Sequence, residues 1–176
     1  MAGPGAFDIN GGVFDDVPAA RAFAIMGFNY ERGVAEMLED LCHRVEATLT
    51  RIYGGWRADV LNHAWAQFAA NQSQSGTAAV GTCHWPPNAT AEYDVANART
   101  VASTADDWLS YPQLAGRRTP VNRENWGGPD YARNYFRWWF AHLPRAPGTG
   151  SDGRAHNWWK YVFDFNRYDE RGAPKR

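Results

Sequence analysis

From Val34 to about Tyr53 the apolar residues Val34, Met37, Leu38, Leu41, Val45, Leu49 and Ile52 return every three or four positions, and Gly54-Gly55 follows. That spacing is the period of an α-helix, and the glycine pair is its stop. A long helix with one apolar stripe needs a partner surface, so the other segments are read for what can cover it.

A second helix is expected over about Arg57 to Asn71, where Leu61, Ala64, Trp65 and Phe68 share a face. Pro129, followed by Tyr131, Tyr135, Trp138, Trp139 and Leu143 and closed by Pro144, predicts a third, aromatic helix. Short strands are expected at Ala22 to Met26, Thr77 to Thr82 and Thr100 to Ser103, which are apolar or small and bounded by glycine or proline. Trp158 to Phe163 fits a strand or a helix, and Arg171 to Arg176 reads as a frayed tail. The order places the chain in the α/β or α+β class, with a small few-stranded sheet, about three helices and an aromatic-rich core in one domain over residues 1–170. Nine tryptophans among 176 residues supply that core or, on the outside, a surface on which sugars or peptides stack.

Three short strands leave two sheet edges, and Ala22 to Met26 carries no charge to protect one. Upstream sequence, the run Trp158 to Phe163 or a second copy of the chain in a homo-oligomer would cover it. With turn chemistry at Gly3-Pro4 and Asn10-Gly11-Gly12, this predicts a fragment, or a shortened relative, of a larger protein, incomplete at the N-terminus.

Charge narrows the partners. Eighteen basic residues against nineteen acidic ones, mixed along the chain, form no patch for a phosphate backbone, so nucleic acid is not expected. No apolar run approaches the roughly 20 residues that cross a bilayer, and no charged start with an apolar stretch marks a leader in this numbering. Cys42 and Cys83, one on a helix edge and one at a strand end, are expected to be unbridged.

On a helical wheel Glu39, His43 and Glu46 fall together opposite the apolar stripe of the first helix. Spacings of three and four let such side chains share a metal or a proton. Ligands in open sheets sit beyond the carboxyl ends of strands, which directs attention to the loops after Met26 and Thr82. The second holds His84, Trp85, Asn88, Tyr93 and Asp94, stiffened by Pro86-Pro87. Cys42-His43 and Cys83-His84 suggest a Cys2His2 zinc site, but helix neighbours diverge by about 100°, so only one residue from each pair can reach a common ion. Cys83 as a nucleophile with His43 as base is a further arrangement.

The expected function is a hydrolase, metal-assisted or acid/base, acting on a glycan or peptide. His43, Glu46, His84 and Asp94 are its candidate catalytic groups. His43, Glu46 and His84 could hold a divalent metal such as zinc, and Asn88, Tyr93 and Trp85 could contact substrate. Two alternatives stand beside it. One is a non-catalytic carbohydrate-binding module using exposed tryptophans, the other a truncated domain without independent activity. If any hydrolase version holds, Glu39, His43 or Glu46 must be covered by another segment.

Overall fold

The computed structural model describes residues 16–55, 61–169 and 171–175. Helix α1 spans Val34–Tyr53, as the apolar period requires. It starts after Gly33 in extended backbone and ends at Gly54, whose φ of 85° lets the chain leave in the left-handed region. Its stripe is covered from Cys42 onward, with Val45, Leu49 and Ile52 in the core, while Val34 and Met37 stay exposed.

The second helix is shorter than its apolar pattern suggests, and the part of it at 56–60 lies outside the described residues. Helix α2 covers only Ala64–Phe68, because His63 caps it through Nδ1 and the chain turns again at Asn71. The Asn71 side chain caps helix α3, Gln72–Ser75, by accepting from the Ser73 and Gln74 N–H groups, and its amide donates to the carbonyls of Pro86 and Ala89. A local side-chain bond has here outcompeted continuation of the helix.

Two expected strands are not strands. Residues 22–26 lie near the surface, with Ile25 73% exposed; Phe23 makes a single bridge, and the Asn166 amide both donates to and accepts from the Ala22 backbone. Residues 78–81 of the second are buried as expected, yet only Ala78 makes a bridge, with Ser103. Their backbone groups are satisfied by the end of α2, where Val80 and Gly81 N–H donate to Phe68 O and Ala79 N–H donates to Ala70 O. The third expected strand is present as β1, Val101–Ser103, antiparallel to β2, Thr119–Val121.

Helix α4, Tyr131–His142, packs on α1 and is capped by Asp130, next to the expected Pro129. Its side chains hold the 80–82 segment: Tyr135 Oη donates to Thr82 O at 2.7 Å and Trp139 Nε1 to Gly81 O at 2.9 Å. Helix α5, Trp159–Phe163, resolves the ambiguous C-terminal run as helical. Residues 171–175 are not frayed: Tyr168 bridges Pro174, and Gly172 packs on Ile52 and Tyr161.

The result is a small α+β fold with a two-stranded antiparallel sheet and an aromatic core. Trp158 is fully buried and meets the rings of Tyr53, Trp65, Phe68, Trp108 and Tyr111 at tilted or edge-on angles, the arrangement ring quadrupoles favour. No helix among the described residues is long and apolar enough to cross a membrane.

Gly81 decides how the chain enters the turn at Cys83-His84. Its φ is 86°, and a Cβ there would strike the carbonyl oxygen of Trp85. Backbone strain of this kind costs about 1–3 kcal/mol before the clash is counted. We expect Gly81→Ala to lower the melting temperature by at least roughly 4 °C, since 1 kcal/mol moves a chain of this size by about 2–4 °C. Thermal unfolding followed by circular dichroism reads this directly, and an unchanged midpoint would show the turn to be adaptable.

Candidate metal centre

The polar face of α1 is roofed by the irregular stretch that follows Gly81. Thr82 N–H donates to Trp85 O, and Tyr93 N–H donates to His84 O, so the stretch folds into a compact loop with His84 directed at the helix. As expected of this face, it is covered by another segment: Glu46 is buried and Glu39 and His43 are partly covered.

Three donor atoms converge from the two sides. His43 Nε2 lies 3.1 Å from His84 Nε2, His84 Nε2 lies 3.3 Å from Glu39 Oε1, and His43 Nε2 lies 3.6 Å from Glu39 Oε1. A tetrahedral ion with arms of about 2.0–2.1 Å to nitrogen and oxygen has edges of about 3.3–3.4 Å, so the triangle has the size of one face of a zinc coordination shell. Glu39 keeps 23%, His43 24% and His84 28% of its side-chain surface in solvent, enough to leave one side of the triangle open.

His43 has a second environment behind it. Its Nδ1 lies 3.4 Å from Glu46 Oε2 and 3.2 Å from Cys83 Sγ. Glu46 in turn accepts from the Cys83 N–H at 2.8 Å and from the Cys83 thiol at 2.6 Å. A carboxylate on Nδ1 fixes the hydrogen there and leaves the Nε2 lone pair facing Glu39 and His84, the usual support for a metal-bound histidine. Glu46 therefore stands behind His43 and orients it, and the carboxylate beside the two imidazoles is that of Glu39. Helical spacing of four from His43 marks Glu39 in the sequence, but nothing there distinguishes its part from that of Glu46.

Cys42, Cys83 and Glu46 form a second, fully buried group. Both cysteines are free. Burial, with smaller additions from Glu46 and Glu39 and an opposing hydrogen bond with Cys83, pushes the Cys42 thiol up to about 12. Burial also raises Cys83 well above the ordinary thiol range, helped by its contact with Cys42. The Cys83–His43 contact has the reach of a nucleophile and its base, but such a thiol stays protonated and inert.

The remaining candidates do other work. Asp94 is turned into its own loop, accepting from Thr90 N–H, Thr90 Oγ1 and Asn97 Nδ2, and these bonds outweigh the opposing desolvation to hold its carboxyl below the usual range. Asn88 is fully buried and donates to the carbonyls of Asn97 and Arg99, which staples the loop shut. Trp85 is half-buried, with its backbone N–H donating to Thr82 Oγ1. Tyr93 does reach the centre, its Oη 2.7 Å from His84 Nε2 and 2.9 Å from Glu39 Oε1. His63, His142 and His156 are spent elsewhere, on the α2 cap, on Trp138 O and beside Pro147 O.

A cleft of about 490 Å³ opens against Glu39 and His43. Phe28, Arg32, Glu36, Met37 and Asp40 also line it, and no tryptophan does. Among the described residues every tryptophan is buried or half-buried. No family model, no curated protein and no solved structure matches the chain.

The hydrogen bond with Glu46 raises the His43 pKa above 6.5, with help from the charges of Glu46 and Glu39 and against desolvation. A folded value above the unfolded one gives stability that is complete below the unfolded value and is lost as pH rises through the folded one. We expect metal-free protein to lose stability as pH rises across that window, and His43→Gln to flatten the loss. Urea unfolding at a series of pH values tests this, and equal slopes for the two proteins would refute it.

Proposed function

We propose that the chain is a metal-assisted hydrolase whose divalent ion, zinc by donor type, is held by Glu39, His43 and His84. The observation that carries the reading is the triangle of 3.1, 3.3 and 3.6 Å between their donor atoms. One proton can serve one of those contacts at a time, whereas one cation serves all three.

Two imidazoles and a carboxylate leave a four-coordinate ion one position for water or substrate, and an ion so held lowers the pKa of bound water to about 7 and polarises a carbonyl. The protein's own residues supply the rest. Glu46 keeps the proton of His43 on Nδ1, and the cleft of about 490 Å³ beside Glu39 and His43 offers room for a substrate. Its walls mix apolar Phe28 and Met37 with Arg32, Glu36 and Asp40. That mixture suits a peptide better than a glycan, since no tryptophan lines the cleft and those among the described residues are buried or half-buried.

We expect about one zinc per chain in metal analysis of purified protein. Glu39→Ala, His43→Ala and His84→Ala should each abolish stoichiometric binding, and Glu46→Gln should weaken it about 10–100-fold. Affinity should climb as pH rises through the raised His43 value, because proton and metal compete for that ring. Cleavage of a fluorogenic peptide library should stop with chelator and return with zinc. Protein that stays metal-free in excess zinc, or cleaves equally well in chelator, would refute the reading.

A further inference from the structure

We infer that Tyr93 is the fourth ligand of this centre, its phenolate oxygen occupying the open position in the resting protein and leaving it when substrate enters. The inference rests on the metal reading above and concerns how that site is closed.

Four donor atoms meet here, and five of the distances among them lie between 2.7 and 3.6 Å: His84 to Tyr93, Glu39 to Tyr93, His43 to His84, His84 to Glu39 and His43 to Glu39. With the His43 ring neutral, as a metal ligand must be, and its hydrogen on Nδ1, only the Tyr93 hydroxyl and one His84 nitrogen have hydrogens to place among them. Two hydrogens cannot satisfy five contacts. A cation at the middle satisfies them all once the His84 hydrogen sits on its other nitrogen and the phenol hydrogen has left.

The backbone points the same way. Tyr93 is the one non-glycine residue among those described with positive φ, at 59°. A bulky side chain pays about 1–3 kcal/mol for that conformation. Burial does not compensate it, since Tyr93 remains 52% exposed. What the conformation achieves is position: Tyr93 N–H donates to His84 O, the ring lies 4.3 Å from the His84 ring, and the hydroxyl is delivered to the two ligands. An exposed ring on a loop can also swing out, so a substrate carbonyl can take the place the oxygen leaves. Ligation is balanced simply: the phenol O–H bond breaks, the metal–oxygen bond forms and the proton goes to water.

Copper(II) is the probe, because copper-bound phenolate gives a visible charge-transfer band and enhanced tyrosinate ring modes in resonance Raman spectra. Wild type is expected to bind one copper with both signatures. Tyr93→Phe should bind one copper without either and release about one proton fewer on binding. Wild type that binds one copper lost in His84→Ala, but without tyrosinate modes, overturns the inference and leaves the three-ligand centre standing. Absence of binding at Glu39, His43 and His84 overturns both. The wild-type Raman spectrum decides by itself should Tyr93→Phe fail to fold.

Discussion

Two hydrogen bonds from helix α4 hold the site together. Tyr135 and Trp139, both fully buried, donate to the carbonyl oxygens of Thr82 and Gly81. Residues 78–81 are buried without a sheet ladder, and a buried carbonyl without a donor would cost about 1–3 kcal/mol. The aromatic helix therefore does for this segment what a neighbouring strand would do in a sheet. Because α4 also packs on α1, the same bonds set the distance between the Cys83-His84 turn and the polar face of α1.

That distance gives His43 two faces with different chemistry. Toward the core, Nδ1 meets a buried carboxylate that is itself held by the Cys83 N–H and thiol. Toward solvent, Nε2 meets Glu39 and His84. The imidazole passes the rigidity of the core to a partly exposed edge, so a change at Cys83 or Glu46 is felt at the outer triangle without touching it. The thiols serve this arrangement by staying neutral. An ionised sulfur beside Glu46 would put two like charges in a buried space, and burial raises both cysteines against that.

Much of this was legible in the sequence. Period and stop signals delimit α1 and α4 to within a residue or two, because each carries a continuous 3.6-residue stripe and a clear terminator. The wheel placed Glu39, His43 and Glu46 on one face, and spacing alone separated His43 from Cys42. Short apolar runs were less informative. Ala22 to Met26 and Thr77 to Thr82 have strand composition, but a strand also needs a partner, and 77–82 found its acceptors at the end of α2 and its donors on α4. Asn71 and His63 cut the second helix short through side-chain caps that an apolar count does not register. Asn88 and Asp94 have the composition of a binding loop and the hydrogen bonds of a structural one.

The sequence by itself determined α1, α4 and the polar face of α1, because those follow from periodicity within one segment. Only tertiary structure decided which carboxylate stands beside His84 and which stands behind His43. Glu39 and Glu46 are four and three residues from the same histidine and share its face. Their separation comes from depth: α1 is covered from Cys42 onward and open before it, so Glu46 enters the core with Cys83 while Glu39 remains at the rim with His84 and Tyr93. Depth belongs to the packing of the whole chain, and no local pattern along α1 contains it.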